Sequence, residues 1–286
     1  MRSPRFEPGS SAWQANKARS IKWLQNKAEF QDYLQSKHYN PRYVQTILSY
    51  LEKNVKELGV PMDVVRIFAK LSQGQQHNLN RAIRALFNFL ELKGIEKTYL
   101  DSLRKAIPQD ITGVDLRVPV ESEILDSLRR LSKMPPKYRA LYSLLLDSGL
   151  RLTEGVRLIN HFEGVIEING FYRCTLGYFR GSKLAYAAYF TPFTFDLILK
   201  NREKVDDRTS SHYFKKFKYV APKYLRKFAF DTMISENLSI PESVADFVEG
   251  RVPKKIGAKH YTALLRQADS FYGKYASYLS RLRNVV

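Results

Sequence analysis

Asp147-Ser148-Gly149-Leu150-Arg151-Leu152-Thr153-Glu154 is the stretch from which the rest of this chain is best read. Gly149 permits a sharp turn, and Thr153 is placed to cap a helix running through Leu158. The turn then presents Arg151 at a helix start, where backbone N–H groups and a guanidinium fork can converge on one anion such as a phosphate. Taken alone, the same residues are more simply an arginine paired with Glu154 or with solvent at a helix end.

Upstream of this stretch, residues 121–131 and 137–147 carry the helical period and predict two amphipathic helices. Downstream, the period changes. Residues 164–168, 171–179 and 184–190 are rich in β-branched and aromatic side chains, with Asn169-Gly170 and Arg180-Gly181-Ser182-Lys183 between them, which predicts a small three-stranded antiparallel sheet. Helical spacing returns after Pro192 and holds to Leu282, broken near Pro222, Pro241 and Pro253. Toward the N-terminus, residues 28–107 show apolar positions at helical spacing, punctuated by Asn40-Pro41, Gly59-Val60-Pro61 and Gly94, and predict a four- or five-helix domain. Residues 108–119 have no helical period and read as a linker, and residues 1–27 as a basic N-terminal arm. The fold class expected is therefore mainly α with a small antiparallel β-sheet, in two domains, 28–107 and 120–286.

The charge balance narrows the function. Lys and Arg number 47 against 28 Asp and Glu, a formal charge of +19, while 44% hydrophobic and 13% aromatic residues supply material for packed cores. Both halves are basic, with 19 cations and 11 anions before Val118 and 28 and 17 from there on. Two folded basic halves suggest a surface enclosing a polyanion from two sides, so DNA or RNA is the leading partner class. The lone cysteine, Cys174, excludes an intrachain disulfide and thiolate metal clusters and fits a small core residue. No apolar run approaches the roughly 20 residues of a membrane span, and a cytoplasmic protein without membrane contact is expected.

Two further stretches can carry chemistry. Residues 215–227 hold Lys215, Lys216, Lys218, Lys223, Arg226 and Lys227 and no acid. In a helix after Pro222, Lys223 and Arg226 share a face, where they repel unless an anion joins them; a solvated basic face is the plainer alternative. Gly250-Arg251 is followed ten positions after the arginine by Tyr261. A tyrosine, with an unperturbed pKa near 10, is a nucleophile only with cations and a charge-accepting phosphate beside it. Tyr261 competes with 17 other tyrosines, of which Tyr272, Tyr275 and Tyr278 have the spacing of a packed terminal helix.

The order of these pieces resembles the tyrosine recombinase (phage integrase) family. Gly149, Leu150, Arg151, Thr153 and Glu154 match its Gly-Leu-Arg-x-Ser/Thr-Glu segment, Lys183 its β-hairpin lysine, Arg226 the arginine closing its His-x-x-Arg motif, and Tyr261 its nucleophile. Lys223 stands at the usual His of that motif and Arg251 at the position commonly His or Trp after Leu-Gly, and both departures resemble the divergent integrases of archaeal viruses and plasmids. The resemblance implies a two-domain DNA clamp, a helical core-binding domain plus an α+β catalytic domain. It implies a site-specific DNA recombinase that cleaves and rejoins double-stranded DNA through a 3′-phosphotyrosyl intermediate, with neither metal nor cofactor, integrating or excising a viral or plasmid element.

In that scheme Arg151 and Arg226 grip the scissile phosphate, Lys183 is the general acid, and Lys223 and Arg251 add positive charge. Arg81, Arg84, Lys215, Lys216 and Lys218 are expected DNA contacts. The assembly implied is a homo-tetramer on two attachment sites, from a monomer or dimer when free, and the terminal helix from Thr262 can dock on a neighbouring protomer or pack on its own domain. A Xer-type resolvase, a type IB topoisomerase relative and a non-catalytic DNA-binding regulator on the same scaffold are the alternatives.

Overall fold

A computed structural model describes residues 20–110, 113–180, 183–251 and 262–286. The chain divides into a unit up to Val114 and a second from Asp115 onward. In the first, α1 (Trp23–Ser36), α2 (Pro41–Asn54), α3 (Pro61–Phe68), α4 (Gln73–Leu92) and α5 (Lys97–Lys105) enclose an apolar core. The starts lie where the sequence places its caps. Asn40 accepts the N–H of Arg42 ahead of Pro41, and Gln75 reaches back to the Ser72 N–H to close a capping box on α4. Gly94, with φ +91°, ends α4 as its position predicts.

The described residues begin inside the stretch expected as an arm. Two-residue strands β1 (Ile21–Lys22) and β2 (Glu57–Leu58) pair antiparallel. Ile21 and Trp23 are buried, and Trp23 meets Phe30 edge-on at 5.8 Å. Trp23 and Phe30 are seven apart, two helical turns, so they lie on the same inward face of α1. The cations around them mask that face in the sequence.

The second unit contains α6 (Glu121–Arg129), α7 (Pro136–Ser148), α8 (Leu152–Asn160), the sheet, then α9 (Pro192–Lys200), α10 (Asp207–Lys216), α11 (Pro222–Ile234), α12 (Glu242–Val248) and α13 (Thr262–Asn284). Strands β3 (Ile166–Ile168), β4 (Phe171–Arg180) and β5 (Lys183–Phe190) run antiparallel in sequence order, as the alternating pattern predicts. Asn169 and Gly170, at φ +45° and +87°, make the first turn, and a bulge interrupts β4–β5 between Thr175 and Tyr178.

Helix α7 departs from the amphipathic reading: every residue from Ala140 to Ser148 is buried. Helices α8, α9 and α11 and strand β5 surround it, and a helix covered on all sides needs no polar stripe. The one acid of that buried stretch, Asp147, accepts the N–H and hydroxyl of Thr191 and pairs with Arg283 of α13. The phenols of Tyr272 and Tyr275 donate to the carbonyls of Asp147 and Leu146, both at 3.0 Å. These bonds satisfy carbonyls that the end of a helix leaves open, and they fasten α13 to the turn that leads into Arg151. Leu264, Ala268, Tyr272, Tyr275, Leu279 and Leu282 of α13 are buried in the core of its own unit. Among the described residues no helix is long and apolar enough to cross a membrane.

Candidate active site

The site is assembled around the left-handed turn at Gly149, φ +61°. A Cβ there would lie 2.8 Å from Cγ and Oε1 of Glu249, so both the backbone conformation and the contact require glycine. The chain then enters α8 with Arg151, and not Thr153, as the N-cap. Glu154 is the capping partner: its carboxylate takes the Arg151 backbone N–H at 2.8 Å and the Arg151 Nη1 at 2.7 Å. The Arg151–Glu154 pair weighed from the sequence is therefore present, and it aims the guanidinium, since Nη1 also donates to the Gly250 carbonyl at 3.1 Å.

Arg226, on α11, reaches the same place with its side chain only 11% exposed. Its Nη1 donates to the carbonyls of Gly149 at 2.8 Å and Glu249 at 2.6 Å. Burial pulls its pKa down to about 10 against the attraction of Glu249. Arg251 completes the group from the end of α12, with Nη1 on Asp246 at 2.8 Å, Nη2 3.2 Å from the Glu249 carboxylate, and its guanidinium over the Phe230 ring.

The three arginines line one cleft of about 530 Å³ together with Lys223 and Lys227, and among the described residues no acid lines it. Two acids lie behind the arginines, both deeply buried: Glu154 and Glu249. Such an arrangement gathers three guanidinium groups at one cleft, Arg151 and Arg251 partly exposed and Arg226 nearly buried, and holds them from below, which suits an oxyanion carried by a phosphodiester.

Lys223 and Arg226 both line the cleft but differ in burial and partners. The Lys223 side chain is 63% exposed and bonds Asp115 at 3.1 Å, whereas Arg226 points inward. Lys227 also binds the Asp115 segment, at the Asp115 and Arg117 carbonyls. The bond from Lys223 is the main reason the Asp115 carboxyl falls to about 2. The acid missing from residues 215–227 is thus supplied from a segment read as linker.

Lys183 opens β5 at the hairpin turn, its Cα opposite that of Arg180, at the position the motif predicts. Tyr261 lies outside the described residues, immediately before α13. Lys215 and Lys216 are exposed at the end of α10, and exposed Lys218 takes a left-handed conformation, φ +54°, with its carbonyl bound by Arg130. These three lysines do not line the cleft. Arg81 and Arg84 are exposed on α4 of the first unit, Arg81 over the Tyr43 ring and Arg84 bonded to Asn80. Among the described residues no group of three or more His, Cys, Asp or Glu is placed to hold a metal ion.

Glu249 and Asp115 are the functional-site residues that motif reading passes over. One signal was available for Glu249: an acid stands before Gly250-Arg251 where the family context has leucine.

No curated protein matches the sequence. Two solved structures share its fold. A lambda integrase tetramer bound to a Holliday junction aligns with TM-score 0.66 and 11% identity over 89% of this chain and 81% of its own. A lambda integrase(75-356) dimer bound to a COC′ core site aligns with TM-score 0.62 and 11% identity over 82% of this chain and 96% of its own. Residues 116–278, more than half of the chain and including the whole arginine cluster, match the family model described as archaeal phage integrase. The chain belongs to the archaeal phage integrase family and is a divergent tyrosine-type site-specific recombinase.

Proposed function

We propose that this recombinase integrates or excises a viral or plasmid element by cleaving double-stranded DNA at specific attachment sites through a 3′-phosphotyrosyl intermediate. The observation that carries this reading is the convergence of Arg151, Arg226 and Arg251 on one acid-free cleft, in a unit whose last helix begins one residue after Tyr261. Arg151 and Arg226 take the non-bridging oxygens of the scissile phosphate, and Tyr261 attacks phosphorus. The P–O5′ bond breaks, and Lys183 at the hairpin turn protonates the leaving 5′-oxygen. The 5′-hydroxyl of a partner strand then attacks the phosphotyrosine and restores a phosphodiester, so the bond energy is kept in the protein–DNA link.

Lys223 and Arg251 add positive charge where the phosphorane develops. Exposed Arg81 and Arg84 in one unit and Lys215, Lys216 and Lys218 in the other contact the DNA backbone. The lambda integrase tetramer on a Holliday junction supports a homo-tetramer spanning two sites as the working assembly. The test is covalent capture. Nicked duplexes carrying candidate attachment sites, incubated without metal, give a denaturant-resistant adduct with the wild-type protein and none with Tyr261→Phe.

A further inference from the structure

Glu249 is the most unusual residue of the site. Its side chain is fully buried beneath the arginines, and neither carboxylate oxygen has a hydrogen-bond partner among the described residues. It meets Arg226 Nη2 at 3.4 Å and Arg251 Nη2 at 3.2 Å as bare ion pairs. Arg226 Nη2 is likewise buried without a hydrogen bond. Gly149 is glycine in part because the Glu249 side chain fills the space where a Cβ would be. A carboxylate so poorly solvated stays ionised only through the cations above it.

We propose that Glu249 is a positioning residue for DNA cleavage, a proton-linked counter-ion that holds Arg226 and Arg251 apart from mutual repulsion in the free protein and takes up a proton when a DNA phosphate enters the cleft. This rests on the recombinase reading of that cleft. The phosphate and Glu249 address the same guanidiniums from opposite sides, so the arriving anion weakens the hold of those cations on the carboxylate. Neutralised by a proton, Glu249 no longer opposes the phosphate charge, while Arg226 remains seated through its bonds to the Gly149 and Glu249 carbonyls and Arg251 through its bond to Asp246.

The charged and titratable groups around it are Arg226 from α11, Arg151 with Glu154 from α8, Asp246 and Arg251 at α12, and Tyr275 from α13. Burial already lifts the Glu249 carboxyl to about 7 in the absence of DNA, against the pull of Arg226 and Arg251. The sign follows. If the phosphate raises that value further, binding is proton-coupled from about pH 7 upward, and affinity falls with rising pH by as much as about tenfold per unit.

The experiment measures binding of a labelled 30-base-pair duplex from pH 6.5 to 8.5 for wild type, Glu249→Gln and Glu249→Asp, with proton uptake by calorimetry in two buffers of different ionisation enthalpy. The expected result is a wild-type affinity that falls above pH 7 with proton uptake at pH 7.5, a Gln variant whose profile is flatter by up to about tenfold per unit, and a linkage restored by Asp. Parallel profiles for wild type and the Gln variant overturn the proposal. Should the Gln variant not fold, the absence of proton uptake by wild type overturns it equally. Adduct formation on nicked duplexes separates the two readings: Glu249-dependent proton uptake without any adduct retires the cleavage chemistry and leaves the proton linkage standing.

Discussion

Gly149→Ala tests how the site is built. Two costs add. A residue with a Cβ at φ +61° loses about 1–2 kcal/mol relative to glycine. The new Cβ would also stand 2.8 Å from Glu249 Cγ, in a buried place where Glu249 cannot move without leaving Arg226 and Arg251, and such overpacking costs about 1–3 kcal/mol. The expected loss is therefore about 2–5 kcal/mol, a large share of the 5–15 kcal/mol typical of a domain. The chain offers a direct assay, because no tryptophan follows residue 114 and Trp23 is buried in the core of the first unit. In urea, Gly149→Ala lowers the midpoint of the transition followed by tyrosine and circular dichroism and leaves the tryptophan transition in place. Gly149→Asn, which tolerates the left-handed backbone but carries the same Cβ, recovers only the smaller part. An Ala variant within about 0.5 kcal/mol of wild type, or full recovery by Asn, would refute the close approach of Glu249.

Arg283→Ala leaves Asp147 charged and fully buried with only the Thr191 bonds, and is expected to cost about 3–5 kcal/mol by urea denaturation of the second unit. Arg226→Lys keeps a cation but cannot span the Gly149 and Glu249 carbonyls and a phosphate together; covalent adduct formation should fall at least about a hundredfold while duplex binding falls far less.

Much of the fold is legible because local chemistry and tertiary structure agree. Asn169-Gly170 makes the first hairpin turn, Arg180 pairs with Lys183 at the end of the β4–β5 ladder, and Asn40, Pro41 and Gly94 bound helices where their backbone preferences dictate. The legible part of the site is its arginines, because a guanidinium fork after Gly149 and a basic helix have few other uses in that order. What escaped was decided by packing. Helix α7 hides no polar stripe because four elements bury it, and its period carries no signal of that. Thr153 looks like the cap, but Glu154 reaches the Arg151 N–H and sets the helix start two residues earlier. Asp115 meets Lys223 across more than a hundred residues, and Glu249 turns inward because Gly149 leaves room for it. No periodicity encodes either contact.

Adduct formation on a nicked duplex, in the presence of a chelator, tests the central claim most directly. The account predicts a phosphotyrosyl adduct for wild type and none for Tyr261→Phe, with the variant still binding the duplex. An adduct that persists in Tyr261→Phe, or none from wild type on DNA bound at its cognate site, would contradict it.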